Sequence, residues 1–100
     1  MERLEVPHYM YEITVSKLDY AESRLQHKAA QIEKSKIAAY RELARMRADY
    51  FYELREMLEA YIAEQEANMN QYLAAHKYYR AYCAEGRLLG AKEVQKYNFG

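Results

Sequence analysis

The fold is decided by residues 8–85, which read HYMYEITVSKLDYAESRLQHKAAQIEKSKIAAYRELARMRADYFYELREMLEAYIAEQEANMNQYLAAHKYYRAYCAE and contain neither glycine nor proline. Glycine supplies the positive φ that many turns need, and proline breaks the hydrogen-bond ladder of a helix. The run is also rich in alanine, leucine, glutamate, arginine and lysine, which have high helix propensity. The sequence therefore predicts an all-α protein that is helical almost throughout.

Apolar residues recur at seven-residue intervals through the first half of this run. The series is Tyr11, Leu18, Leu25, Ile32, Ala39 and Met46. Such a heptad is typical of a coiled-coil seam. A second apolar row beside it makes residues 37–62 apolar on two adjoining faces, which favours contact with more than one neighbouring helix. We therefore expect one long helix, or two nearly collinear helices, with a shorter returning helix, in a coiled-coil-like bundle formed by self-association.

The expected boundaries divide a single helical domain, residues 1–100, into four parts. Residues 1–6 are a polar leader. Residues 7–67 are the long helical region, with a weaker break signal near residue 35, where Ser35 could cap a helix.

A stronger break signal lies at Asn68, because Gln71 three residues later completes a capping-box pattern. We therefore expect a C-terminal helix over residues 68–85. Gly86 fits the position just past a helix end, which leaves residues 86–100 as a short tail.

The composition of the chain limits the cellular compartments and the classes of partner that we expect. The 100 residues hold 15 Lys and Arg against 15 Asp and Glu, so the net charge is zero, whereas a dedicated polyanion binder is expected to be basic. The single cysteine, Cys83, cannot form an internal disulfide, which favours a reducing compartment. Nothing resembles a signal peptide or a membrane span. We expect a cytoplasmic protein without membrane contact.

No pattern of residues suggests catalysis. His8, His27 and His76 lie far apart and lack the spacing of metal ligands, and Cys83 has no second cysteine to pair with. The near absence of glycine excludes a glycine-rich phosphate loop. We expect no enzymatic activity, no cofactor and no metal.

Twelve tyrosines and no tryptophan are the compositional oddity, and several of the tyrosines lie close to basic residues in the last third of the chain. The candidate partner-binding residues are Tyr72, His76, Lys77, Tyr78, Tyr79, Arg80 and Tyr82. Tyrosine and arginine are enriched in protein-binding hot spots, and aromatic rings beside cations can also stack single-stranded bases. A third interpretation is that these rings simply pack on the helix formed by residues 36–66.

The double apolar face supplies the candidate self-association residues. They are Leu43, Met46, Tyr50, Phe51, Leu54, Met57, Leu58, Tyr61 and Ile62. A long monomeric helix would leave this face in water, which is unfavourable. A homodimer is therefore expected.

The leading functional hypothesis is a non-enzymatic protein-binding module that occupies the surface of a larger protein. It would be a small regulator, an inhibitor of the kind that phages and mobile elements encode, or an assembly factor. The alternative is a helical nucleic-acid-binding accessory protein that uses the basic stretch 34–47 together with the C-terminal Tyr, Lys and Arg surface.

Overall fold

Two helical hairpins make up the fold, as seen in a computed structural model that describes residues 1–100. The first hairpin joins α1 (His8–Ser23) to α2 (His27–Ala44), and the second joins α3 (Phe51–Ala74) to α4 (Tyr78–Phe99). Helices hold 80% of the residues, which confirms the prediction of an all-α protein. No helix has the length and apolar character needed to cross a membrane.

The connections within the two hairpins share one unusual geometry. Leu25 (φ 56°) and His76 (φ 57°) take the left-handed conformation directly after the first helix of each hairpin. In each case the N–H of the next residue donates to the carbonyl five positions earlier at 2.8 Å. This is the Schellman ending of a helix, in which glycine normally holds the left-handed position. Because non-glycine residues hold it here, neither turn is marked in the sequence.

Leu25→Gly is expected to raise the free energy of unfolding by about 1 kcal/mol, because glycine removes the left-handed penalty. Little burial is lost, since Leu25 is 74% exposed. Arg24→Gly is the matched control: Arg24 has φ −97°, so glycine there relieves nothing and lowers stability. Urea denaturation followed by circular dichroism measures both changes. Equal destabilisation by the two substitutions would contradict the strained turn.

The connection between the hairpins interrupts the long helical region expected over residues 7–67. The Arg47 guanidinium donates to the carbonyls of Ala44 (2.7 Å) and Met46 (2.8 Å), which satisfies the end of α2. Arg47–Ala48 then forms strand β2, which pairs antiparallel with β1 (Glu2–Arg3). One long helix, or two nearly collinear helices, is therefore a wrong prediction, since the chain turns at residues 24–26 and again at 45–50.

Close contact between α2 and α4 is the main packing feature. A Cβ atom on Gly86 would lie 2.5 Å from the Ser35 Cβ, and one on Gly90 would lie 3.2 Å from the Lys36 Cα. The contacts advance along both helices in the same direction, so α2 and α4 run parallel. Glycine is needed here because the two backbones approach too closely for a side chain. This approach is the physical reason why Gly86 lies inside a helix.

The other expected boundaries are corrected by the same packing. The α2 helix runs without a break through residue 35, and α3 continues past Asn68 to Ala74. Asn68 makes no side-chain hydrogen bond to a helix end. The C-terminal helix spans 78–99 rather than 68–85, so the expected tail over residues 86–100 is almost entirely helical.

The leader is part of the fold rather than a free polar segment. Leu4 is 2% exposed and joins the core. The Glu5 N–H donates to the Asn98 side chain, and Asn98 donates back to the Glu5 carbonyl, both at 2.9 Å. The N-terminus is thereby held against the end of α4. The nine core residues are Leu4, Met10, Tyr40, Leu43, Ala48, Leu54, Leu58, Ala91 and Val94.

The core also accounts for part of the expected self-association seam. Leu43, Leu54 and Leu58 are 0% exposed within a single chain, so they are core residues rather than a free apolar face. Met46, Tyr61 and Ile62 are half-buried against the same core. The residues that remain exposed are Tyr50, Phe51 and Met57. The double apolar face of residues 37–62 is thus covered largely by α4, which packs on both α2 and α3.

Candidate functional site

The two connections that contain Leu25 and His76 lie at one end of the molecule, because α2 and α4 run parallel and begin side by side. A groove of about 490 Å³ opens there between the α1–α2 connection and the first turns of α2 and α4. We call it the connection groove. The lining residues that matter below are Glu22, Leu25, Lys28, Lys34, Tyr79 and Tyr82.

The structure brings the seven predicted partner-binding residues together around this end. Tyr79 (67% exposed) and the half-buried Tyr82 line the groove itself. The Lys28 ammonium lies 5.1 Å above the centre of the Tyr82 ring, a cation–π contact that holds the ring in place. Leu25 and Lys28 are not among the predicted site residues, because only the parallel packing of α2 and α4 places them beside the tyrosines.

The other five predicted residues surround the α3–α4 connection. Tyr72 is half-buried, whereas His76, Lys77, Tyr78 and Arg80 are exposed. The His76 Nδ1 atom lies 2.9 Å from the Tyr78 hydroxyl, so the ring of Tyr78 folds back over the connection. Tyr78 is 50% exposed, so its ring lies outside the core.

Basic side chains at this end have no acidic partners within the chain. None of them forms an ion pair, although ion pairs occur elsewhere in the molecule. These residues are Arg24, Lys28, Lys34, Lys77 and Arg80. Glu22 is the one carboxylate that lines the groove. Exposed rings and unpaired cations therefore occur together, an arrangement suited to an anionic ligand with apolar groups.

Two of the five cations in the basic stretch 34–47, which carries the nucleic-acid alternative, are engaged within the chain. Lys36 is buried and contacts two carboxylates, and the exposed Arg47 donates to backbone carbonyls. Lys34, Arg41 and Arg45 stay exposed without an ion pair, and their spacing places them on one face of α2. The charge of Lys36, half-way along α2, is therefore balanced by carboxylates within the chain.

A buried polar cluster that sequence analysis did not anticipate lies nearer the opposite end. The Lys36 Nζ atom lies 3.5 Å from Glu93 Oε1 and 3.6 Å from Glu33 Oε1. The Tyr40 hydroxyl donates to Glu93 and accepts from Thr14 Oγ1 at 3.4 Å. No signal in the sequence marks this cluster, because its members come from three helices whose packing was not foreseen.

Burial raises the pKa of the Tyr40 phenol, and its hydrogen bond to Glu93 raises it further. Burial likewise raises the pKa of Tyr61, whose hydroxyl donates to Glu42 at 2.7 Å. Both phenols stay protonated in the folded chain at pH values where an unfolded tyrosine ionises. Their contribution to stability is therefore complete below the ordinary tyrosine pKa of 10.0 and is lost as the pH rises above it.

The possible metal ligands and the single thiol do not assemble into a site. No group of three or more His, Cys, Asp or Glu side chains is placed to hold a metal ion. Cys83 is half-buried, and its Sγ atom lies 3.2 Å from Gln31 Nε2. Comparisons of this chain with protein-family models, with curated proteins and with solved structures find no match.

Proposed function

We propose that this chain is a non-enzymatic protein-binding module whose connection groove receives an acidic, partly apolar segment of a larger protein. In that role it is a small regulator, inhibitor or assembly factor that acts by occupying its partner's surface. One observation carries the proposal: exposed tyrosines and unpaired cations share one end of a chain that has already buried its own core. A cytoplasmic location and a homodimer belong to the same proposal.

Charge supports an acidic partner. Two lysines, Lys28 and Lys34, line the groove against the single carboxylate of Glu22. Arg80 and Lys77 lie outside the groove lining but at the same end of the molecule, and neither forms an ion pair. Complementary charge speeds encounter and selects the partner, while buried aromatic contacts supply most of the affinity.

Apolar contact supports a peptide rather than a bare phosphate chain. Leu25 is 74% exposed and lies in the same groove as Tyr79. An aliphatic side chain next to a ring offers a pocket for an apolar side chain, whereas nucleobases stack on flat rings. Within the basic stretch 34–47, contacts inside the chain engage Lys36 and Arg47, which leaves three free cations for a nucleic-acid backbone.

Three labelled probes test the proposal by fluorescence anisotropy at physiological salt. The first is a dodecapeptide in which glutamate alternates with leucine and phenylalanine, and the second carries glutamine in place of glutamate. The third is an oligothymidylate of about 15 nucleotides, a length that a single-strand-binding surface can hold. We expect the acidic peptide to bind most tightly.

Tyr79→Ala and Lys34→Ala, which both change the lining of the groove, are each expected to weaken binding of the acidic peptide by about 1–3 kcal/mol, the range of a hot-spot anchor. Neither change should move the melting temperature, because both side chains are exposed. Lys92→Ala is the control, since Lys92 is exposed on α4, as Tyr79 is, and does not line the groove. Equal binding of the glutamine peptide contradicts the acidic partner, and tighter, salt-sensitive binding of the oligothymidylate favours the nucleic-acid alternative.

The homodimer stays a prediction, now resting on the exposed side chains near the start of α3. Tyr50 (61% exposed), Phe51 (42%) and Met57 (39%) are the predicted residues that one chain leaves uncovered. Sedimentation equilibrium at micromolar concentration should give twice the 11.9 kDa mass of the chain. A single species of monomer mass at every concentration would contradict this prediction.

A further inference from the structure

A cleft of about 600 Å³ lies between α1 and α4, away from the connection groove. Tyr9 and Tyr97 form one wall, with ring centres 6.4 Å apart in an edge-to-face arrangement. Both rings are half exposed, at 51% and 52%, and Ile13 beside them is also 51% exposed. A cleft of this volume is in the range that holds a small organic molecule. Its wall is suited to a flat apolar ring.

The floor of the cleft carries a charged group that the fold has nearly removed from water. The Lys36 side chain is only 10% exposed, yet it lines the cleft. Its contacts to Glu33 and Glu93 are 3.6 and 3.5 Å long, well beyond the usual length of a charge-assisted hydrogen bond. An ammonium has three N–H donors, so Lys36 retains capacity to donate to a ligand oxygen.

The rim of the cleft is positive. Lys17 from α1 and Lys96 from α4 line it, and neither forms an ion pair. The one carboxylate in the lining, Glu93, already accepts from Tyr40 and contacts Lys36. With Glu33 behind Lys36 included, three lysines stand against two engaged carboxylates, which leaves one excess positive charge beside an aromatic wall.

We propose that this cleft binds a small aromatic carboxylate, whose ring packs between Ile13, Tyr9 and Tyr97 and whose carboxylate meets Lys17, Lys96 and the floor ammonium of Lys36. The cleft and the connection groove share no residue. This site is therefore independent of the proposed protein-binding function, and either can fail without the other. Its position against α1, α2 and α4 means that an occupied cleft would also hold these helices together.

The test uses the full chain and three matched probes: 2-naphthoate, its neutral analogue 2-naphthamide, and the cation 2-naphthylmethylammonium. Backbone amide shifts are followed during titration by ¹H–¹⁵N NMR. We expect 2-naphthoate to shift the amides of residues 9–17 and 93–97, which carry the cleft lining on α1 and α4. The amide and the ammonium should bind at least about tenfold more weakly, since each loses the charge contact.

Variants of exposed residues keep the test separate from folding. Lys17→Gln combined with Lys96→Gln should weaken 2-naphthoate binding by about tenfold, the sum of two exposed charge contacts. Tyr97→Ala should weaken all three probes together. Lys92→Gln makes the same charge change on the same helix outside the cleft and should leave the affinity unchanged.

Three results would overturn the proposal. The first is that millimolar 2-naphthoate leaves the backbone amide shifts of the cleft residues unchanged. The second is equal affinity for 2-naphthamide and 2-naphthoate. The third is an equal loss of 2-naphthoate affinity in Lys92→Gln and in the double variant Lys17→Gln with Lys96→Gln. The last two would mean that the cleft does not select an anion through its lysines.

Discussion

Gly86→Ala should destabilise the chain by about 3 kcal/mol or more, which places it among the more damaging single substitutions in a domain of this size. The new Cβ atom would lie 2.3 Å from the Ile32 carbonyl oxygen and 2.5 Å from the Ser35 Cβ. Backbone cannot move aside as a flexible side chain can, so α4 must shift away from α2. Alanine gains about 1 kcal/mol in helix propensity, which is too little to offset the shift.

Gly90→Ala is the matched control one turn further along α4. Its Cβ atom would lie 3.2 Å from the Lys36 Cα and 3.3 Å from the Ala39 Cβ, a tight but not impossible contact. We expect a change in the free energy of unfolding smaller than that of Gly86→Ala by about 2 kcal/mol, since the propensity gain is similar. Urea denaturation measures both. If Gly86→Ala is as stable as the original chain, α4 does not pack on α2 through this residue.

Leu58→Ala should cost about 2–5 kcal/mol, the usual range for emptying a leucine site in a core. Leu58 is 0% exposed and lies in the central cluster with Leu43 and Leu54. Its neighbour Met57 is 39% exposed on the same helix, so Met57→Ala should cost well under half as much. The loss at Leu58 should not depend on protein concentration, because a single chain buries this side chain.

If the stability lost in Leu58→Ala depends on protein concentration, that account is contradicted. Such a dependence would show that Leu58 lies between chains, as the double apolar face of residues 37–62 first suggested, and that the monomeric core is incomplete. Denaturation of Leu58→Ala and Met57→Ala at two protein concentrations at least tenfold apart separates the two cases, since dimer stability follows mass action.

The helical class of this protein could be predicted from the sequence, but its turns could not. The absence of glycine and proline over residues 8–85 indicates helix correctly. With no glycine or proline in this run, the expected breaks rest on the capping patterns at Ser35 and Asn68, whereas the chain turns at Leu25 and His76, which adopt the left-handed conformation without being glycine. Tertiary packing of the hairpins outweighs the local preference at both positions.

The sequence position of Gly86 suggests a structural role that differs from the one it has in the fold. Gly86 resembles a helix end by sequence, because glycine is common just past the last helical turn. In the fold it is buried in the middle of the parallel α2–α4 contact. A glycine needed for close approach and a glycine needed for a turn look the same in a single sequence.

The candidate site was partly foreseeable. The crowding of Tyr78, Tyr79 and Arg80 in sequence places them on one turn of α4, and their exposure follows from that position. The charges of the groove and of the cleft were not foreseeable, because Lys28 and Lys36 acquire their neighbours only through helix packing.

The parallel α2–α4 contact is the central claim, because it builds the connection groove at one end and helps to place the cleft floor nearer the other. A ¹³C-edited NOESY spectrum of the labelled chain tests it most directly. We predict cross-peaks from the Gly86 Hα protons to Ser35 Hβ and from the Gly90 Hα protons to Ala39 Hβ. If both are absent while Gly86 gives the sharp signals of a mobile tail, the hairpins do not pack as described.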